Sequence, residues 1–172
     1  MSKNWLVVKN LEFLLIKTAK SLVICPPSTV LTHIFSNQIK LPYSTGCIWS
    51  YCRADKEITD NYSFDVNDWV YVLDGDFDYT STARKLAECD IIATSYFVWN
   101  EHASDKLCAE IKKINPNCLI IYGGLNLPHP NRCKKFLKDK RFIDIVIHNE
   151  GEQVFKNVLK ALLHEQDLKE VK

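Results

Sequence analysis

Glycine is scarce in this chain, with five in 172 residues, and methionine almost absent, with one. No G-x-G-x-x-G and no G-x-x-x-x-G-K-[ST] occurs, which removes the main support for dinucleotide or P-loop phosphate binding. No two of the seven cysteines are spaced C-x-x-C or as a zinc knuckle. No apolar run approaches the roughly 18 residues of a membrane span. The early apolar stretches 5–8 and 13–16 are interrupted by Lys9, Glu12 and Lys17, with no small-residue cleavage site behind them, so they do not read as a signal peptide. Charge of one sign is lacking too: 22 Lys and Arg face 21 Asp and Glu, a net +1 that argues against a chain-wide grip on nucleic acid or acidic lipid. Neither a repeat nor a low-complexity tract is present.

What remains is a globular composition, 47% hydrophobic and 25% charged. A chain of this mass buries about 70% of its unfolded surface, enough for one core without disulfide staples. An odd number of cysteines, mostly inside apolar runs, reads as reduced thiols of a cytoplasmic protein. We expect an N-terminal arm over 1–19, one domain over 20–165 and a charged tail over 166–172. Val7, Leu11, Leu14, Leu15 and Thr18 fall at helical spacing, so the arm is expected to be helical.

From there short β-rich runs alternate with helical patterns, the signature of βαβ units and a parallel sheet. Strands are expected over 21–25, 90–95, 118–122 and 143–147. A further one falls over 69–73, the stronger candidate, or over 62–66. Helices are expected from Gly46, capped by Ser44 or Thr45, to Arg53, and over 80–88, 103–114, 131–138 and 152–164. The fold class is thus α/β, a flavodoxin-like, doubly wound parallel sheet of five strands with an N-terminal helical arm.

Four of the five glycines, Gly46, Gly123, Gly124 and Gly151, lie just beyond a strand or at a helix entry. Open parallel sheets bind ligands there, outside the carboxyl ends of their strands. Asp74, Asp76 and Asp78 imitate the start of a calcium loop, but Tyr79 and Lys85 stand where its Gly and Glu belong, so Asp74-Gly75 reads as a turn.

Polar segments mark the same strand ends. Leu41-Pro42-Tyr43-Ser44-Thr45-Gly46 precedes the first helix, and Ser95-Tyr96-Phe97-Val98-Trp99-Asn100 follows the third strand. Gly123-Gly124-Leu125-Asn126-Leu127-Pro128 follows the fourth, and Asn149-Glu150-Gly151-Glu152 the fifth. In this order the segments resemble the cobalamin-binding domain that precedes the catalytic barrel in cobalamin-dependent radical S-adenosylmethionine (SAM) proteins. The resemblance covers about residues 20–165. In cobalamin-binding domains at large the pattern runs D-x-H-x-x-G, S-x-L, G-G, where the His is the lower axial ligand to cobalt. With Gly46 on the motif's glycine, Leu41 stands at its Asp and Tyr43 at its His, so the coordinating imidazole is missing, as is common in the radical branch. Leu125 stands where that branch often has Pro, and Asn149 where it often has Gly.

The resemblance implies cobalamin as cofactor, held by Tyr43, Ser44 and Gly46, by Ser95, Tyr96, Val98, Trp99 and Asn100, by Gly123, Gly124, Asn126 and Pro128, and by Glu150, Gly151 and Glu152. Under it, Tyr43 lies beneath the corrin and Ser95 hydrogen-bonds the dimethylbenzimidazole tail. Gly123 and Gly124 let that tail pass between sheet and helix. Trp99 stacks on or walls the ring, or merely closes the sheet end. Asn100 caps the next helix or bonds a corrin amide. The chemistry implied is methyl transfer, with cobalt as methyl carrier and a separate iron-sulfur barrel as radical source. No C-x-x-x-C-x-x-C occurs, so no iron-sulfur cluster is expected in this chain, and as an enzyme it is a fragment needing a radical SAM domain or subunit as partner. Neither nucleic acid nor membrane is an expected partner. Cobalt makes the module metal-binding through its cofactor, with no protein ligand to the metal and no catalytic residue assigned. The alternative is a cofactor-free interaction or sensor domain that keeps the same sheet.

Overall fold

The computed structural model describes residues 6–8, 21–25, 43–65, 78–98 and 100–171. In chain order these form β1 (Leu6–Val8), β2 (Ser21–Cys25), α1 (Tyr43–Arg53), α2 (Lys56–Asn61), β3 (Ser63–Asp65), α3 (Tyr79–Leu86) and β4 (Ile91–Ser95). They continue with α4 (Glu101–Ile114), β5 (Leu119–Gly123), α5 (Pro130–Asp139), β6 (Ile145–Ile147), α6 (Glu152–Leu163) and a 3-10 turn, Leu168–Glu170.

The architecture is α/β around a largely parallel sheet, ordered β1-β6-β5-β4-β2-β3 among the described residues. Five strands run parallel, and β1 adds to β6 antiparallel, pairing Leu6 with Ile147 and Val8 with Ile145. Among the described residues the sheet thus has the five parallel strands joined by an unexpected antiparallel sixth, and the described part of the N-terminal arm, 6–8, is a strand and not a helix. An apolar Leu-Val-Val triplet suits either state, and the open edge of β6 decides it by offering a ladder of unpaired backbone groups. The second parallel strand is Ser63–Asp65, inside the weaker of the two candidate stretches; 69–73 lies outside the described residues. The other expected elements lie within one or two residues of their expected bounds, except α1, which begins three residues earlier; α2 and the 3-10 turn have no counterpart among the expected elements.

Strand side chains alternate between two cores. Ile91, Ala93, Leu119, Ile121, Ile145 and Ile147 face α6, where Val154, Phe155, Val158 and Leu159 are buried with Cys52 of α1 and Ile58 of α2. Ile92, Ile120, Tyr122 and Val146 face the other way, onto Leu86 of α3, Leu107 and Ile111 of α4, and Cys133 and Leu137 of α5. Fully burying each such aliphatic side chain contributes about 1.5–3 kcal/mol, so helices cover both faces for the same reason. Leu168 of the 3-10 turn joins the first core.

Side chains start the short helices. Asp55 accepts from Glu57 N at 3.2 Å and Asp78 from Ser81 N at 3.0 Å, satisfying amides that a helix start leaves open. Asp55 also meets Lys160 at 2.8 Å, fastening the start of α2 to α6. His129 Nδ1 accepts from Asn131 N at the start of α5, whose first residue is Pro130. The six cysteines with described side chains are free thiols; burial pushes Cys52 and Cys118 up to about 12.

Candidate functional site

The parallel strands finish in one row. Cys25 pairs with Thr94, Ser95 with Gly123, and Gly123 with Ile147. From β2 the chain crosses to β3 on one side and then to β4 on the other, so the strand order reverses between β2 and β4. Such a reversal leaves a crevice beyond the carboxyl ends of the two strands. The segments following β4, β5 and β6 all stand along this edge.

The β4 and β5 loops are bound to each other. Tyr96 N donates to Gly123 O and Asn126 N donates to Tyr96 O at 3.1 Å. Gly124 has φ +126°, and a Cβ placed on it would sit 2.5 Å from Tyr96 O and 2.9 Å from Tyr96 N. Only a residue without a side chain fits that approach. Gly123 is different: its Cβ would meet nothing closer than Ile147 O at 3.8 Å. Of the two glycines that the resemblance places along a ligand channel, Gly124 has a structural duty against Tyr96, while Gly123 has room among the described residues.

Asn100, 2% exposed, holds the β4 loop closed. Its Oδ1 accepts from Phe97 N and its Nδ2 donates to Ser95 O, each at 2.7 Å. It occupies the N-cap position of α4 without a side-chain capping bond. The side chain is thereby committed to its own loop, which neither of its expected roles anticipated. Ser95 presents the opposite case: its Oγ is buried and has no hydrogen-bond partner among the described residues. A buried hydroxyl without a partner is disfavoured by about 1–3 kcal/mol, so its persistence at a strand end beside the crevice asks for a reason.

The Tyr96 side chain packs into the second core. Its ring is buried, 5.0 Å from that of Tyr122 and 5.9 Å from that of Phe136. Its hydroxyl makes no well-formed hydrogen bond, and burial together with the neighbouring Glu101 and Asp105 carboxylates pushes its ionisation far up. Val98 and Leu125, by contrast, are 72% and 89% exposed on the two joined loops. Pro128 O accepts from the Cys133 thiol at 3.2 Å, and Asn126 Nδ2 donates to Glu101 Oε2 at 2.9 Å.

At the first helix, Tyr43 and Ser44 open α1, so Ser44 and Thr45 lie in its first turn and not at its cap. Among the described residues nothing comes within 4 Å of a Cβ placed on Gly46. The side chains of Tyr43 and Ser44, and all of Trp99, lie outside what is described. Beyond β6, Asn149 adopts φ 64°, the left-handed region that glycine and asparagine tolerate. Glu150 is exposed and Gly151 starts α6, its backbone near Ile147 and Ile48, the latter from α1. Ile48 therefore brings α1 to the β6 loop.

Sequence reasoning passed over Glu101, Lys140, Cys133 and the contact of His148 Nε2 with Cys133 Sγ at 3.2 Å. Burial holds His148 below its ordinary value, with His129 nearby adding to the effect. Among the described residues no group of three or more His, Cys, Asp or Glu is placed to hold a metal ion, so a protein-ligated metal has no support there. No described helix is long and apolar enough to cross a membrane.

No family model matches the chain. Over 120 residues it is 29% identical to the 2-(S-pantetheinyl)-carbapenam-3-carboxylate methyltransferase of Streptantibioticus cattleyicolor, covering 69% of this chain and 16% of that protein. Over 124 residues it is 30% identical to the cobalamin-dependent radical SAM methyltransferase TokK of Streptomyces tokunonensis, covering 72% of this chain and 17% of that protein. Over 96 residues it is 29% identical to the anaerobic magnesium-protoporphyrin IX monomethyl ester cyclase of Cereibacter sphaeroides, covering 53% of this chain and 15% of that protein. The chain spans about one sixth of the length of the curated relatives it matches. These similarities link it to cobalamin-dependent radical SAM methyltransferases.

Proposed function

We propose that this chain is a cobalamin-binding module of flavodoxin-like fold. It holds the cofactor base-off, without a histidine lower ligand, and presents it to a radical SAM catalytic domain or partner for methyl transfer. Counted among themselves, the described parallel strands run 2-1-3-4-5, an order that supports the flavodoxin-like reading and, with it, a ligand crevice at the reversal. The observation that carries the reading is Ser95 Oγ, buried and, among the described residues, unpartnered where β4 ends at the reversal of strand order. A hydrogen-bonding atom of the cofactor's tail would satisfy it.

The remaining residues fit the group in part. Gly123 and Gly46 leave space where a side chain would stand, whereas Gly124 and Asn100 serve the protein's own loops. Val98 and Leu125 offer apolar contact on the same edge. For the lower ligand, Tyr43 stands at the motif's histidine position, and His148 Nε2 is already engaged by Cys133. Cobalamin, when bound, supplies a cobalt centre able to carry a methyl group. The protein's part is to hold the tail at Ser95, keep water from the lower face and leave the upper face open to a catalytic surface.

Reconstitution with hydroxocobalamin, followed by gel filtration and a visible spectrum, tests the reading. A coloured protein is expected, and paramagnetic resonance of its cobalt(II) form should lack nitrogen hyperfine splitting from an axial imidazole. Clear triplet splitting would overturn the histidine-free site. A colourless protein would favour a cofactor-free interaction or sensor domain built on the same sheet.

A further inference from the structure

A polar network outside the crevice ties its two central loops together. Glu101, the first residue of α4, accepts from Asn126 Nδ2 at 2.9 Å through Oε2 and meets Lys140 Nζ at 3.5 Å through Oε1. Lys140, just beyond α5, also pairs with Asp105 one turn along α4, and Asp105 accepts from the Tyr122 hydroxyl of β5 at 3.3 Å. The ammonium lies 5.6 Å from the Tyr96 ring centre and 5.5 Å from that of Phe136. One carboxylate therefore touches the β5–α5 loop through Asn126, faces the β4–α4 loop through Tyr96, and reaches the end of α5 through Lys140. The helix start favours its negative charge. The Tyr96 hydroxyl, Asn126 and Lys140 hold the Glu101 carboxyl below the usual carboxylate range despite partial burial.

Asn126 sits two residues beyond Gly124, whose backbone presses on Tyr96, and Asn126 N–H itself donates to Tyr96 O. Loop spacing at the crevice is thus set by a backbone contact on one side of Asn126 and by Glu101 on the other. Without the side-chain bond, the segment carrying exposed Leu125 would be tied to the β4–α4 loop only through the backbone bonds of Gly123 O and Asn126 N to Tyr96, among the described residues.

We propose that Glu101, braced by Lys140, is the positioning residue that fixes the β5–α5 loop against the β4–α4 loop, and that this fixed spacing governs how tightly cobalamin is held. The second half rests on the cobalamin reading; the first does not. Two measurements separate them. In ligand-free protein, amide hydrogen exchange at Asn126 should quicken about tenfold in Glu101→Ala, the scale of one lost hydrogen bond, while Ile121 in the strand keeps its protection. Glu101→Gln keeps an oxygen for Asn126 and should recover most of the protection; Lys140→Met should fall between. Unchanged exchange at Asn126 in Glu101→Ala would overturn the proposal. If that variant fails to fold, Lys140→Met decides: exchange like the parent's would overturn the brace.

The second measurement is hydroxocobalamin affinity and the visible circular dichroism of the bound corrin. Affinity should fall about tenfold in Glu101→Ala, with an altered dichroism that Glu101→Gln restores. Equal affinity and an identical spectrum would mean that the lock does not govern the site. A parent that binds no cobalamin would refute the functional reading, while the exchange data would still decide the role of Glu101.

Discussion

The two ends of the parallel sheet are built on opposite principles. Where the strands begin, polar groups are closed off against one another. Asp144, 3% exposed, accepts from Ile120 N at 2.8 Å and pairs with Lys112 at 2.7 Å. Leu119 N donates to Asp90 O, and Asn115 Nδ2 donates to Ala87 O at 2.9 Å. Where the strands finish, a serine hydroxyl is buried without a partner among the described residues, a glycine is forced into positive φ, and two aliphatic side chains stand in solvent. One end is optimised for stability. The other tolerates local cost, which is the pattern expected where a protein binds something.

Substitutions at the two ends should separate stability from binding, and the largest loss of stability belongs to the closed end. Asp144→Ala removes the anionic partner of Lys112, leaving it only Pro116 O at 3.1 Å among the described residues, and strands the Ile120 amide. Breaking such a pair should lower stability by about 3 kcal/mol in urea unfolding. Cobalamin binding by the folded fraction should stay as in the parent. A midpoint like the parent's would mean that Asp144 is solvated and that the contrast between the ends is false.

Next comes the pair of glycines. Gly124→Ala puts a Cβ against the Tyr96 backbone and should cost about 2 kcal/mol of strain and displaced backbone. Gly123→Ala should cost less than about 1 kcal/mol, because its Cβ has ordinary contacts. The binding test for a ligand channel therefore belongs at Gly123. Equal stabilities for the two variants, read from thermal melts, would refute the close approach at Gly124.

Asn100→Ala should follow at about 2 kcal/mol, since it leaves the Phe97 amide and the Ser95 carbonyl without their 2.7 Å partner. Asn100→Asp retains the acceptor for Phe97 and should recover part of the loss in the same unfolding measurement. Failure of Asp to do better than Ala would show that the acceptor side of the bond contributes nothing.

How far the sequence reveals this contrast depends on the range of the interaction. Periodicity located β4, α4, β5, α5 and α6 because their apolar positions repeat at strand or helix spacing within one segment. It missed α2, six residues whose start depends on Asp55 as cap and on Lys160 of α6. It mistook 6–8 for helix because pairing with β6 joins residues about 140 positions apart. At the candidate site the glycines were legible as turn markers, but the reason for Gly124 is the Tyr96 backbone, which no local pattern encodes. The same holds for Glu101 and Lys140, 39 residues apart and joined only by the fold. Asn149 carried a usable signal: an asparagine where glycine is common points to a left-handed turn, and its φ is 64°.

The smallest change in stability is expected at Ser95, and there the comparison of the two ends becomes sharpest. Replacing a satisfied buried hydroxyl normally destabilises, because its partner is left behind. Ser95 Oγ has no partner among the described residues, so Ser95→Ala strands nothing and removes an unsatisfied polar atom. Stability should stay within about 0.5 kcal/mol of the parent or rise slightly. Affinity for hydroxocobalamin should nonetheless fall about tenfold, close to 1.4 kcal/mol, if the hydroxyl meets the cofactor's tail. The side-chain oxygen belongs to a half-buried residue at the end of β4, so the substitution reaches the crevice without disturbing the core beneath it. A clear drop in stability would reveal a protein partner for the hydroxyl and return Ser95 to the structural role of its neighbour Asn100. Unchanged affinity alongside unchanged stability would detach Ser95 from the site and leave its buried oxygen without a function.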